Sequence, residues 1–140
     1  MSGPLTGLKI LDFTTLLPGP FATMNLADLG ADVLRVTSGS RPDMASFAPP
    51  FFNGTDISFT VPFMQRGKRS MTMNLKDPRA VRIIHQLISS YDILVEQFRP
   101  GVMAKFGLDY ESLKALNPAI IYCSITGYGQ DSPLKGKAGH

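Results

Sequence analysis

Short apolar runs alternate with stretches that carry helix start and stop signals, and this alternation constrains the fold more than any other feature. LKILDF at 8–13 precedes a turn and a helix-like stretch, and ADVLRVT at 31–37 follows it. Pro20 stands where a helix begins and Gly30 where one stops. Residues 8–13, 32–37, 69–75, 92–98 and 119–125 each read as a strand. Asp77-Pro78 caps a helix with proline at its first position, and Val81, Ile84, Leu87, Ile88 and Tyr91 then form one apolar stripe. A shorter helix over 109–116 stops at Asn117-Pro118. The order is strand–helix–strand, a loop, then strand–helix–strand–helix–strand. Alternation at this spacing predicts a mostly parallel sheet with helices on both faces, a doubly wound, Rossmann-like α/β fold.

Two stretches depart from the pattern. Residues 38–63 are rich in Pro, Gly, Ser and Phe with neither helical nor strand period, and read as one long loop. After the fifth strand, GYGQDSPLKGKAGH leads to no further element, so the sequence reads as the first part of a longer protein. No internal repeat or low-complexity segment is present.

Composition narrows the function classes. The chain has 140 residues, a net charge of +3 and one cysteine. Cys123 excludes an internal disulfide and fits a reducing, cytoplasmic setting; with Ile120, Ile121, Tyr122 and Ile125 around it, it is expected as filler in a buried strand. No apolar run reaches membrane-spanning length, and the basic bias favours an anionic ligand but is too weak for nucleic acid. One cysteine, His85 and His140 make no metal-ligand set, so no metal is expected. His85 lies at the polar edge of its helix. The signatures of a serine hydrolase, a P-loop enzyme and a dinucleotide binder are all missing: the first turn reads Leu17-Pro18-Gly19-Pro20 where the last would place G-x-G-x-x-G.

In an open α/β sheet, ligands bind beyond the carboxyl ends of the strands. That edge brings residues 14–20, 37–41, 97–101 and 127–130 into consideration. In EQFRPG, Arg99 stands at a strand end before a glycine turn, where its planar fork can pair with a phosphate or simply face solvent. Lys76 belongs to the same set. The RGKRS cluster (Arg66, Lys68, Arg69) reads as a solvated loop or an anion site. His140 follows Gly139 beyond the ligand edge, as a solvated or a catalytic residue.

Four segments together carry a resemblance. GPLTGLKILDFTTLLPGPFATMNLADLGADVLRV, RGKRSMTMNLK, DILVEQFRPGVMAKFGLDYESLKALNPAIIYCSITGYGQDSP and AGH resemble the start of the family III CoA-transferases, which include formyl-CoA transferase, L-carnitine CoA-transferase and α-methylacyl-CoA racemase. The resemblance implies coenzyme A, carried as acyl-CoA, with carboxylic acids as the other substrates. It implies an interlocked homodimer, in which residues 1–140 form the N-terminal part of a CoA-binding large domain. By position, Leu16, Leu17 and Pro18 would line the thioester region, and Met73, Lys76, Gln97, Phe98, Arg99 and Lys105 would border the nucleotide. Relatives often end the second strand in an acidic residue and an arginine; Thr37-Ser38 stands there, and Arg41 is the substitute for that arginine. Formyl-CoA transferase has glutamine where Leu17 stands, so a more hydrophobic acyl group than formyl or oxalyl is expected. Racemases of this kind use a Gly-His pair, matched by Gly139-His140, with His140 as the base that exchanges the α-proton. Transferases commonly carry tyrosine there and use an aspartate further downstream. The pair tips the reading toward a racemase, with CoA transfer between acids and a non-catalytic CoA- or nucleotide-binding module as alternatives.

Overall fold

A computed structural model describes residues 3–137 and Gly139. Strands β1 (Lys9–Asp12), β2 (Asp32–Thr37), β3 (Lys68–Thr72), β4 (Ile93–Glu96) and β5 (Ile121–Ser124) alternate with helices α1 (Pro18–Asp28), α2 (Thr60–Gln65), α3 (Pro78–Ile88) and α4 (Tyr110–Lys114). All neighbouring strands pair parallel, in the order β3-β2-β1-β4-β5. From β1 the chain winds outward to β3 and then crosses back to place β4 on the other side of β1. The doubly wound expectation is met.

Side-chain alternation divides the sheet into two covered faces. Leu11, Phe13, Leu34, Val36 and Leu94 face Ile84 and Ile88 of α3 and Leu113 of α4 in the larger core. The predicted stripe of α3 contributes all its members to this cluster. Asp77 caps that helix by accepting from the Arg79 N–H at 2.9 Å. On the opposite face, Ile10, Ala31, Val33 and Val95 pack with Leu26 and Ala27 of α1.

One polar knot interrupts the second face. Asp12, at the end of β1, is wholly buried. Its Oδ1 accepts from the Thr14 N–H at 2.8 Å and the Thr14 hydroxyl at 2.5 Å. Its Oδ2 accepts from the Thr23 hydroxyl of α1 at 2.5 Å and from Lys68 Nζ of β3 at 3.3 Å. Lys68 also donates to Thr23 Oγ1 at 2.7 Å and to the Pro20 carbonyl at 2.9 Å, so each ammonium proton has a partner. Burial pulls the Lys68 pKa below its ordinary 10.5, against the opposing pull of Asp12.

Three expectations need correction. The stretch 38–63 holds a 3-10 turn at Met44–Phe47 and the helix α2, which packs on α1. Six residues with a proline among them are too few to show a helical period. RGKRS is solvated at every residue but Lys68, yet it is strand more than loop and its cations are already taken: Lys68 belongs to the buried knot, Arg66 pairs with Asp28 at 2.5 Å, and Arg69 pairs with Asp32 at 2.7 Å. Cys123 is exposed. It lies on the edge strand β5, on the face away from Tyr122 and Ser124, where neighbouring Ile121 is also 58% exposed. Strand and helix ends shift by a few residues; α1 begins at Pro18 rather than Pro20.

The knot makes a prediction. Removing one partner of a buried pair leaves the other charge uncompensated. Asp12→Ala should therefore cost about 3–5 kcal/mol in urea unfolding, while Lys68→Met, which removes the charge and keeps the stem, should cost clearly less.

Candidate functional site

The parallel strands all point their carboxyl ends to one edge, and the change in winding direction opens a crevice there between β1 and β4. The turn after β1 supplies one wall. Leu16 is half-buried with a φ of +60°, the one non-glycine residue with positive φ among those described. Leu17 is 63% exposed, and Pro18 opens α1. Beneath them Gly19 is buried against Thr14 and Gln97, and a Cβ built on it would collide with the Thr14 side chain and lie 2.6 Å from Gln97 Oε1.

Gln97, just past β4, closes the crevice. Its Nε2 donates to the Thr15 carbonyl at 2.6 Å, joining the two loops at the switch point. Its Oε1 is buried without a hydrogen-bond partner. That oxygen lies beneath Gly19, out of reach of a ligand, and its missing bond is a cost of the close approach of the two loops.

The cations fall into two groups. Arg35, Arg66, Lys68, Arg69 and Arg79 are in ion pairs. Among the described residues the other nine are in none: Arg41, Lys76, Arg99 and Lys105, all four exposed, and Lys9, Arg82, Lys114, Lys135 and Lys137. Arg41 follows β2, Lys76 follows β3, Arg99 follows β4, and Lys105 lies in the 3-10 turn at Ala104–Phe106. Each of these four is thus carried by a connection leaving the carboxyl edge. Met73 continues β3, its N–H donating to the Thr37 carbonyl at 2.8 Å. Met73 and Phe98 are half-buried against the larger core. His140 lies outside the described residues.

Beside the crevice, a cavity of about 600 Å³ opens where β4 and β5 end, lined by Arg99, Met103, Tyr110, Tyr122, Ser124 and Gln130 among others. Glu96 forms part of its floor and is 3% exposed. The Phe98 N–H donates to its Oε2 at 2.7 Å, the Ser124 hydroxyl donates to its Oε1, and the Gln130 amide donates to Ser124 in turn. Burial raises the Glu96 pKa above its ordinary 4.5, against the lowering by those two hydrogen bonds. Burial, with Glu96 and Asp109 nearby, pushes the Tyr122 hydroxyl up in the same way.

The structure therefore brings Leu16, Leu17, Pro18 and Gln97 together at the switch point and sets Arg99 on the rim of the neighbouring cavity. Arg41, Met73 and Lys76 lie toward the β2–β3 end. Sequence reasoning missed Asp43, Glu96 and Ser124. The signal for Glu96 was present, a lone carboxylate ending an apolar strand. Asp43 gave none for its hold on the first turn, because the partners in that contact, Arg35 and Leu16, lie 8 and 27 positions away.

Residues 5–140 match CoA-transferase family III. The chain belongs to that family. It is 48% identical over 138 residues to succinyl-CoA:glutarate CoA-transferase of Mus musculus, covering 98% of this chain and 31% of that one. It is 39% identical over 142 residues to succinate–glutarate CoA-transferase of Agrobacterium fabrum, covering 98% and 36%, and 39% identical over 132 residues to acetyl-CoA:oxalate CoA-transferase of Acetobacter aceti, covering 94% and 33%. The chain thus spans about a third of the length of these curated relatives. Among solved structures, a CAIB/BAIF family protein from Brucella suis superimposes with a TM-score of 0.91 at 39% identity, covering all of this chain and 38% of that one. The fold of the family is thereby this chain's fold. No helix among the described residues is long and apolar enough to cross a membrane.

Glu96 offers a pH test. Below about 4.5 the carboxyl is protonated folded or unfolded; above that, the folded state holds its proton longer. The stability Glu96 contributes is full below 4.5 and is lost as pH rises through its higher folded value. Denaturation curves on either side of that window should show the decline in the wild type and a flatter profile in Glu96→Gln.

Proposed function

We propose that the full-length protein transfers CoA between carboxylic acids, and that this chain supplies much of the CoA-binding wall. The observation that carries the reading is that Arg41, Lys76, Arg99 and Lys105, exposed and outside any ion pair, are borne by connections from the carboxyl edge beside an apolar first turn. CoA presents a diphosphate and a 3′-phosphate at one end and an acyl thioester at the other. Arg41, Lys76, Arg99 and Lys105 match the first, and Leu16, Leu17 and Pro18 the second. Met73 and Phe98 offer apolar surface to the adenine, and Gln97, which joins the two loops at the switch point, borders the nucleotide.

The acyl group is proposed as a short dicarboxylate, succinyl or glutaryl, whose methylenes pack on Leu16 and Leu17. Support comes from the activities named for the mouse and Agrobacterium relatives. The same names favour transfer over the racemisation to which Gly139-His140 points. In such a transfer a carboxylate attacks the thioester carbonyl, the C–S bond breaks and CoA leaves as a thiolate. That thiolate attacks the enzyme-side carbonyl of the resulting mixed anhydride, which releases the donor acid and leaves CoA as a thioester on the enzyme carboxyl. The acceptor carboxylate attacks this thioester and frees the thiolate again, and the thiolate attacks the acceptor's carbonyl in the new anhydride, giving the acceptor's CoA thioester and restoring the enzyme carboxylate. The attacking carboxylate is expected downstream of residue 140. Residues 1–140 are proposed as the N-terminal part of the large domain of an interlocked, cytoplasmic homodimer.

Two experiments test this. Arg99→Ala in the full-length protein should weaken CoA by roughly 1.5–3 kcal/mol, about tenfold to a hundredfold, in a calorimetric titration at low salt; unchanged affinity would remove Arg99 from the site. The second incubates succinyl-CoA with glutarate and, separately, an α-methylacyl-CoA in deuterated water. Glutaryl-CoA formation without α-deuterium uptake is the expected result, and it should survive His140→Ala. Deuterium uptake that His140→Ala abolishes, with no transfer, would make the protein a racemase.

A further inference from the structure

Leu16 occupies the left-handed region at a φ of +60°. A leucine pays sterically for that conformation and has no polar side chain to offset it. Its N–H donates to Asp43 Oδ1 at 3.0 Å, across 27 positions of sequence. The Asp43 carboxylate is itself fixed. Its Oδ2 accepts from Arg35 Nη2 of β2 at 2.6 Å, its Oδ1 also accepts from the Ala45 N–H at 3.1 Å, and the Arg35 and Asp43 side chains are only 12% and 9% exposed. Arg35 Nε is buried without a partner. The Asp43 carboxylate is thus held by three donors, one of them on a strand, and this leaves it little freedom to move away. Through Asp43, a rigid strand grips the backbone of the turn that carries Leu17.

We propose that Asp43 is a positioning residue for acyl selectivity: by holding the Leu16 N–H it keeps Leu16 left-handed and so sets how Leu17 presents to the acyl group. The proposal rests on the reading of this turn as the thioester wall. Asp43 touches no reacting atom in it; it acts only through the backbone of Leu16. Glycine takes positive φ freely. Replacing Leu16 by glycine should therefore make the Asp43 clamp dispensable, which a general stabilising role for Asp43 would not.

The test is a double-mutant cycle in the full-length protein, with Asp43→Ala made alone and in a Leu16→Gly background. KM and kcat are measured for acetyl-CoA and succinyl-CoA as donors, and CoA affinity and Tm are measured in parallel. With Leu16 present, Asp43→Ala should raise the KM of the preferred donor about tenfold and narrow its preference over the other, with CoA affinity within about twofold. In the Leu16→Gly background the same change should move donor KM by less than about twofold. Equal effects in both backgrounds, or a lowered Tm with donor selectivity intact, would overturn the proposal. If Asp43→Ala folds only with Leu16→Gly, the clamp is supported; if it folds in neither background, Asp43 is a structural tie and the proposal fails. The crystal structure of Asp43→Ala gives a readout independent of turnover, in which Leu16 should leave the positive-φ region. If Leu16 stays there, the proposal fails whatever the assays give. A wild-type protein that transfers no CoA would instead sink the functional reading, and that crystal structure would still decide whether Asp43 holds Leu16.

Discussion

The buried contact between Asp12 and Lys68 joins the end of one strand to the start of another, with α1 pinned over both through Thr23. Taking an ammonium and a carboxylate out of water is costly, and the cost is met only when each charge finds several partners in good geometry. Here the partners are Thr14, Thr23 and the Pro20 carbonyl, all from the first turn and the helix that follows it. The knot therefore fixes more than the sheet. It sets where the turn after β1 leaves the strand and at what height α1 begins, which are the two quantities that shape the crevice.

Everything on the crevice side builds on that placement. With α1 held down, its first turn comes so close to β4 that Gly19 has no room for a side chain beside Thr14 and Gln97. Gln97 then reaches the Thr15 carbonyl, and the two loops at the switch point become one surface. Asp43 adds a second hold from β2 on the same turn. A short peptide segment that begins without a side-chain cap is thus held from three strands at once, which suits a wall that must keep its shape against a long flexible ligand.

The neighbouring cavity follows a different logic. Glu96, Ser124 and Gln130 form a hydrogen-bonded chain that ties the end of β4 to the turn beyond β5. That turn packs closely on Gly139, whose backbone lies against Gly127. Gly139 thereby sits beside the turn that follows β5. The chain of side chains carries a buried carboxylate rather than a neutral group, so its strength varies with protonation in a way that a purely apolar anchor would not.

Local order was legible because it depends on neighbours in sequence. The five strands, the capped helix at Asp77 with its apolar stripe, and the parallel doubly wound arrangement all follow from apolar period, proline position and the spacing of elements. Burial on an edge strand was not legible: the residues around Cys123 are those of a buried strand, and only its place at the sheet margin exposes it. Charge placement was legible in part. Arg99 and Lys76 stand at strand ends that the sequence marks, but RGKRS carries no sign that Asp12, Asp28 and Asp32 will each take one of its cations. The sequence by itself determined the order of elements, because helix and strand signals act over a few residues. The tertiary structure alone decided which charges are buried, which remain available for an anion, and that Leu16 is held left-handed by Asp43, because those outcomes require groups far apart in sequence to meet in space.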